Sequence, residues 1–122
     1  MRTITEHEIN ECNKAIDIRA DEPDPNNGNA SHVYQLIVHG KEDATMTTLS
    51  FQHSPIKEVG TNGITHEVLL AVLIDRLRGF QSSKYACREN ALALTKLEEA
   101  RMWLHERMRG RVARDVEGTH EV

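Results

Sequence analysis

The sequence contains few aromatic side chains, two cysteines and no long apolar segment. Phe, Trp and Tyr together make up 4% of the 122 residues. Cys12 and Cys87 have neither the spacing of a zinc site nor that of a disulfide framework, so we expect a reduced, cytoplasmic protein. No apolar run approaches the roughly 20 residues of a membrane-spanning helix, and no signal-peptide pattern follows Met1. We therefore expect no association with a membrane.

Motifs of known catalytic sites are also missing. None of the seven histidines has another histidine four residues away, and neither His-Glu-x-x-His nor Cys-x-x-Cys occurs. The chain has no P-loop, no Gly-x-Ser-x-Gly and no pair of the His-x-Thr/Ser tripeptides of phosphoesterases that cut cyclic nucleotides. The residues therefore predict no catalytic group, no metal ion and no cofactor. A hydrolase that uses His53 or His66 is the alternative.

Charge is distributed unevenly along the chain. The net charge of −4 is unfavourable for a general nucleic-acid binder, so we expect no DNA partner. Residues 1–60 carry 5 basic and 10 acidic groups, whereas residues 61–122 carry 10 and 9. From Arg101 to Arg114 there are five arginines and a single acidic residue, Glu106. A local anion site in an acidic protein suits a small ligand better than a long polymer.

The first half of the chain has the pattern of a small antiparallel sheet. The capping-box sequence from Thr5 to Glu8 predicts a short helix that ends near Lys14. Alternating apolar residues then predict three strands, at residues 15–20, 32–38 and 46–52. Their order along the chain favours an antiparallel meander.

Two helices follow in the second half. Thr65 is a suitable N-cap for an apolar helix that we expect to end at Gly79. Ser82 or Ser83 is expected to cap a second helix that runs to about Arg109. Apolar spacing at alternating steps of three and four predicts the packing seam of an antiparallel helical hairpin, formed by Asn90, Leu94, Leu97, Arg101, Leu104 and Met108.

The predicted fold class is α+β, a small antiparallel sheet followed by a long antiparallel helical hairpin. We expect a single domain, with the sheet and its loops at about residues 1–64, the hairpin at about 65–110 and a polar tail at 111–122. The first helix is apolar on every side, and Leu92 and Trp103 lie off the seam of the second. These surfaces predict self-association through the helices.

Several side chains of the hairpin have the chemistry of a nucleotide-binding site. The ring of Phe80 can stack on a base, or it can end the core of the first helix. The amide of Asn90 can bind a base edge, or it can fix the register of the hairpin. Arg107, Arg111 and Arg114 share one face if the helix extends that far. Their guanidinium groups can bind phosphate, or they can stabilise the helix C-terminus.

The loop before the first helix is a second candidate anion site. It runs from Pro55 to Gly63, contains Lys57 and Asn62, and precedes the free backbone amides of a helix N-terminus. Lys57 would add positive charge to that site. The alternative is an ordinary loop followed by a helix cap.

Several segments, in one order along the chain, resemble a known protein family. They are Phe51-Gln52, Pro55 to Glu58, Gly60 to Gly63, Leu69 to Ala71, Ile74 to Leu77, Phe80-Gln81, Cys87-Arg88-Glu89-Asn90, Trp103-Leu104 and Val116 to Thr119. In these segments the chain is similar to the first-described class of phage-encoded Thoeris anti-defence sponges. The helix-hairpin module of that class is shared with phage sponges that counter CBASS signalling. The resemblance covers about residues 35–119.

The resemblance implies a protein that sequesters a signalling molecule in the cytoplasm of an infected bacterium. The signal is a cyclic ADP-ribose isomer made by a TIR-domain enzyme, and the sponge holds it intact so that the effector stays silent. The resemblance also implies a homo-oligomer, from dimer to hexamer, with the pocket at a subunit interface. Some family members bind cyclic di- or trinucleotides at a separate site.

Site residues also follow from the resemblance. The stacking aromatic, the carboxamide and the phosphate-binding arginines of the family match Phe80, Asn90, Arg107 and Arg111. Further candidates are Lys57, Asn62, Arg88 and Arg114.

Other functions stand as alternatives. One is a sponge for CBASS cyclic oligonucleotides alone, and another is an enzyme that hydrolyses a cyclic nucleotide. A regulator that uses the hairpin to bind DNA or a protein partner is disfavoured by the acidic balance of the chain.

Overall fold

The computed structural model describes residues 1–114 and 118–122. These residues form two units, one of residues 1–54 with 59–64 and one of residues 55–58 with 65–122. The first unit is an antiparallel sheet and the second contains a helical hairpin. The predicted α+β fold class is therefore confirmed.

The first unit is a four-stranded antiparallel sheet with the order β1-β2-β3-β4. The predicted meander is confirmed in the last three strands, and β1 is an additional strand that the sequence did not predict. The strands are β1 (Arg2–Ile4), β2 (Ile16–Ala20), β3 (Val33–His39) and β4 (Ala44–Ser50).

Side chains on one face of the sheet form the small core of this unit. Ala20, at the end of β2, has no solvent exposure. Tyr34 of β3 and Phe51, just after β4, pack edge to face with ring centroids 5.6 Å apart. Aromatic pairs with this geometry stabilise a sheet beyond their burial alone, so these two rings fix β3 against the end of β4.

The short helix α1 (Glu11–Lys14) begins later than the capping-box pattern predicted. The amide of Glu8 donates to the carbonyl of Thr5 at 3.0 Å, which makes a turn rather than a helix. The N-cap is Asn10, whose side-chain oxygen accepts from the amide of Asn13 at 2.8 Å. The predicted short helix and its end at Lys14 are confirmed, whereas the start predicted from Thr5 is wrong.

A close backbone contact joins the end of the sheet to residue 64. The amide of Gln52 donates to the carbonyl of Ile64 at 2.8 Å, and the amide of Ile64 donates to the carbonyl of Ser50 at 2.9 Å. A Cβ atom on Gly63 would overlap the backbone of Ser50, Phe51 and Gln52. Only glycine therefore allows this approach.

The second unit contains α3 (His66–Gln81), α4 (Arg88–Ala113) and all but the last residue of the short helix α2 (Ile56–Val59). Thr65 is the N-cap of α3, as predicted, and its hydroxyl accepts from the amide of Val68 at 3.3 Å. None of the helices in the described ranges is long and apolar enough to cross a membrane.

The ends of the two long helices differ from the prediction. Gly79 does not end α3, which continues to Gln81. Neither Ser82 nor Ser83 caps α4, because the N-cap is Cys87, whose sulfur accepts from the amide of Asn90 at 3.4 Å. The side chain of Gln81 holds Cys87 in place, since it donates to the carbonyl and accepts from the amide of that residue.

The predicted seam is confirmed by the burial of α4. All six seam positions are half-buried, and most of the positions between them are exposed. On α3, Ile74 has 1% exposure. An ion pair of 2.6 Å between Arg78 and Glu98 joins the two helices. Packing of α3 against α4 therefore stabilises this unit.

Candidate functional site

An open groove lies along the last turns of α3. Its volume is about 860 Å³. Residues from α3 line one side, namely Ala71, Val72, Asp75, Arg76, Gly79 and Phe80. Ser83 and Tyr85, from the connection to α4, complete the lining. The α3 residues recur at steps of three and four, so they share one face of the helix.

Gly79 leaves open space in the lining of the groove. A Cβ atom at this position would have no neighbour within 4 Å. Glycine in a helix interior costs about 0.5–1 kcal/mol relative to alanine. The groove is therefore open at Gly79 although a larger side chain would favour the helix.

Phe80 lies in the last turn of α3, with 37% of its surface exposed. The guanidinium carbon of Arg76 is 5.1 Å from the centroid of its ring, and the ring of Tyr85 meets it edge to face at 6.3 Å. Nζ of Lys84 lies 5.3 Å from the centroid of Tyr85. The sequence prediction included Phe80 but not Tyr85. The signal for Tyr85 was an aromatic residue in a short connection of a chain with few aromatics.

Asn90 lies in the first turn of α4, where its residue is half-buried. Within the described ranges, no hydrogen bond involves its side-chain carboxamide, whereas its backbone amide donates to the sulfur of Cys87 at 3.4 Å. The carboxamide of Asn90 therefore offers a donor and an acceptor at the end of the hairpin where α3 connects to α4, which we call the corner.

The two predicted arginines lie at the other end of α4. Arg107 is 17 residues after Asn90, which corresponds to about 26 Å along a helix. Arg107 is exposed, and Arg111 lies one turn further on, because the helix continues through residue 110. A single chain therefore does not bring Phe80 and Asn90 together with these arginines around one small ligand.

Arg111 is the most buried of the predicted residues, with 7% exposure. Its guanidinium donates to the carbonyl of Glu121 at 2.5 Å and to the carbonyl of Thr119 at 3.2 Å. Arg114, at the C-cap of α4, donates to the carbonyl of Val122 at 2.8 Å. In this structure both arginines donate to backbone oxygens of residues 119–122 of their own chain, a role that their spacing in the sequence does not indicate.

The other two candidates of the second unit, Arg88 and Lys57, do not line the groove. Arg88 is exposed in the first turn of α4. Lys57 is exposed in α2, and its amide donates to the carbonyl of Gly118 at 3.3 Å. In the C-terminal segment that resembles the family, Val116 and Glu117 lie outside the described residues.

Asn62 belongs to the sheet unit, where its side chain closes a loop. Its Oδ1 accepts from the amide of His53 at 3.1 Å, and its Nδ2 donates to the carbonyl of His53 at 2.9 Å. The Oε1 of Gln52 accepts from the amide of Asn62 at 2.8 Å. The carboxamide is thus engaged in holding residues 52–62 together.

Asp24, in the sheet unit, has a carboxyl group whose acidity is perturbed. A hydrogen bond from the side chain of Asn27 and one from the backbone of Asn26 lower the pKa of Asp24, and His32 adds to this effect. Across residues 1–114 and 118–122, no three His, Cys, Asp or Glu side chains are grouped so that they would hold a metal ion.

Comparison with known proteins identifies relatives of the hairpin. The family model of the Acb2/Tad1 hairpin domain matches residues 46–109. A protein of Bacillus phage SBSphiJ7, named Thoeris anti-defense 1, is 54% identical to this chain over 94 residues. The matched part is 77% of this chain and 63% of that relative, so the chain spans less than two thirds of the relative's length.

Proposed function

This chain belongs to the Acb2/Tad1 hairpin-domain family, and from that membership we propose that it is a phage anti-defence protein. It binds a cyclic ADP-ribose isomer in the cytoplasm of the infected bacterium and sequesters it without cleavage, which blocks Thoeris immunity. The name of the relative from phage SBSphiJ7 supports the anti-defence role.

The observation that carries the proposal is the groove beside an exposed, oriented aromatic ring. Phe80 presents part of its ring at the groove, with Arg76 and Tyr85 against it. The volume of the groove, about 860 Å³, is in the range of small-molecule sites, which is about 300–1,000 Å³. A base stacked on Phe80 would gain about 1–3 kcal/mol, whatever its hydrogen-bonding edge.

The second part of the proposal is that the binding site needs two chains. Arg107 and Arg111 are too far from Asn90 to contact the same ligand within one chain, because they lie about 26 Å and about 32 Å from it along α4. In a dimer with a two-fold axis, the arginine end of one α4 can lie beside the corner end of the other. The guanidinium groups of one chain then bind the phosphates, while Phe80 and Asn90 of the other chain bind the base.

Arg111 takes part in this site only if its bonds change. Its guanidinium is bonded to the carbonyls of Thr119 and Glu121. Phosphate oxygens are charged acceptors and form stronger hydrogen bonds than carbonyl oxygens do. We propose that a ligand phosphate takes the place of at least one of these carbonyls, whereas the exposed Arg107 binds phosphate directly.

The side chains of the groove favour binding over chemistry. Its polar side chains are Asp75, Arg76, Ser83 and Tyr85. The hydroxyl of Ser83 donates to the carbonyl of Phe80 at 2.7 Å, so it is not activated by a neighbouring base. A side chain that only binds leaves the ligand intact, which is what sequestration requires.

Calorimetry with a cyclic ADP-ribose isomer tests the proposal. We expect sub-micromolar binding, and heating the complex should release a ligand with an unchanged mass and retention time. Released but altered ligand would show a hydrolase. Binding of a cyclic trinucleotide but of no cyclic ADP-ribose isomer would instead show a sponge for CBASS signals alone.

A further inference from the structure

The two edges of the four-stranded sheet differ in length and in charge. β1 has 3 residues and begins with Arg2, whereas β4 has 7 residues. Ala44–Ser50 contains no charged residue and no proline. Short edge strands and edge charges are the usual means by which proteins prevent pairing between molecules, and β4 has neither.

Backbone bonds show which residues of β4 pair with β3. The amide of Phe51 donates to the carbonyl of His32 at 2.7 Å. In an antiparallel ladder, hydrogen-bonded positions alternate along the strand. Thr45, Thr47 and Leu49 therefore direct their backbone groups towards β3.

The even-numbered residues of β4 direct their backbone groups outward. The carbonyl of Ser50 confirms this direction, because it accepts from the amide of Ile64 on the outer side at 2.9 Å. For Ala44, Met46 and Thr48, no such outer backbone bond is found within residues 1–114 and 118–122. These three residues form a row of free donors and acceptors, with Met46 at its centre.

The side chains of β4 are also accessible. Six of its seven residues are exposed, and Met46 has 58% exposure. The strand is rich in threonine, which favours pleated, half-buried surfaces. Neither a side chain nor a charge therefore blocks the approach of another strand.

We propose that β4 pairs antiparallel with β4 of a second copy of this chain, about a two-fold axis at Met46. In this register Met46 lies opposite Met46 of the other copy, and Ala44 lies opposite Thr48. Each of these pairs exchanges two N–H···O bonds. The pairing ends at Thr48, next to the position where Ile64 already covers Ser50.

The composition of β4 favours a second copy as its occupant. Under a two-fold axis the same surface meets itself, so any charge on the strand would face or approach its own sign. Here Thr45 lies opposite Thr47 of the other copy, and threonine pairs are favourable across strands. The sheet becomes continuous through both copies, and its long edge is covered. This contact is separate from the hairpin and does not depend on the proposed ligand.

Disulfide trapping tests the register. In a Cys12→Ser/Cys87→Ser background, Met46→Cys should give a covalent dimer under mild oxidation, because the paired Cα atoms would be about 5.5 Å apart. Thr48→Cys is the matched control. Its two copies would lie four residues, or roughly 13 Å, apart, and should not be linked. Equal dimer formation by both variants, or by neither, would overturn the proposal.

Sedimentation velocity gives an independent measurement. We expect Met46→Lys, and separately Thr48→Pro, to lower the mass of the assembly to about half. Thr48→Pro removes only an outward amide, so the ladder with β3 is kept. Ile9→Lys, at a residue with 83% exposure, should leave the mass unchanged. A native chain that stays monomeric, or variants of unaltered mass, would contradict the proposal. Circular dichroism checks that each variant is folded. If a variant is unfolded, the comparison of Met46→Cys with Thr48→Cys under oxidation tests the proposal instead.

Discussion

Arg76 lies over the ring of Phe80, with its guanidinium carbon 5.1 Å from the ring centroid. The two residues are one helical turn apart on α3, and the ring of Tyr85 packs edge to face with the same ring, with centroids 6.3 Å apart. The ring is thus oriented at the groove before any ligand arrives. Since less side-chain freedom has to be lost on binding, this arrangement favours stacking.

Phe80→Ala should weaken binding of the cyclic ADP-ribose isomer by roughly 5- to 150-fold, since base stacking contributes about 1–3 kcal/mol. Phe80→Trp keeps an aromatic face and should retain most of the affinity. Calorimetry measures both, with Ile9→Ala in the sheet unit as a control that leaves binding unchanged. Equal affinities for Phe80→Ala and the native chain would show that the ligand binds elsewhere.

Gly79→Leu should abolish binding without loss of stability. The new side chain enters open space, where a Cβ atom has no neighbour within 4 Å, so it fills the groove. Leucine also favours a helix by up to about 1 kcal/mol over glycine, so the melting temperature should stay equal or rise. Ala93→Leu adds a similar side chain at an exposed position of α4 and should bind normally. Normal binding by Gly79→Leu would mean that the ligand does not occupy this groove.

The strands and the hairpin seam could be predicted because apolar residues recur in the sequence at the period of a strand or of a helix. The positions that the sequence assigned to the seam, such as Leu94 and Leu97, are all half-buried in α4. β1 was missed because its three residues are too short to show alternation. The start of α4 was missed because its N-cap is Cys87, a weak sulfur acceptor, whereas Ser82 and Ser83 are usual caps.

The candidate site was predictable only in its residue types. Phe80 and Asn90 were selected because an aromatic ring and a carboxamide can bind a nucleotide base. The groove beside Phe80 is also lined by Gly79, which the sequence analysis expected to be the end of the helix. The contacts of Arg111 with the carbonyls of residues 119 and 121 depend on how the chain turns back after α4. Periodicity within a helix does not contain that information.

Acid should destabilise the sheet unit through Asp24. Its hydrogen bonds with Asn27 and Asn26 lower its pKa in the folded state below the ordinary value of 3.8. A lowered folded pKa gives stability that is present above the unfolded pKa and is lost as the pH falls through the folded pKa. We therefore expect the melting temperature to fall below about pH 4, and less steeply in Asp24→Asn. Identical acid profiles for the two proteins, measured by circular dichroism, would exclude this contribution.

Gly63→Ala should destabilise the sheet unit. The added Cβ atom would overlap backbone atoms of Ser50, Phe51 and Gln52, which cannot move without loss of the bonds to Ile64. Overpacking of this kind typically costs about 1–3 kcal/mol, seen as a lower urea midpoint. Gly79→Ala is the control, since its Cβ atom meets nothing and the helix is favoured. A native midpoint for Gly63→Ala would show that this backbone contact is adjustable.

Mixing two defective variants tests whether the binding site is shared between chains. Phe80→Ala lacks the stacking ring and Arg107→Ala lacks an exposed phosphate ligand, so each homodimer should bind weakly. In an equal mixture that pairs at random, half of the dimers are mixed. If every site combines the Phe80 of one chain with the Arg107 of the other, each mixed dimer contains one intact site and one doubly defective site. After the variants are unfolded and refolded together, calorimetry should find about a quarter of the native sites, with native affinity. Recovery of no native-affinity sites from a mixture that exchanges subunits would place Phe80 and Arg107 in separate sites or within one chain. Exchange is checked by pull-down through a tag on one variant.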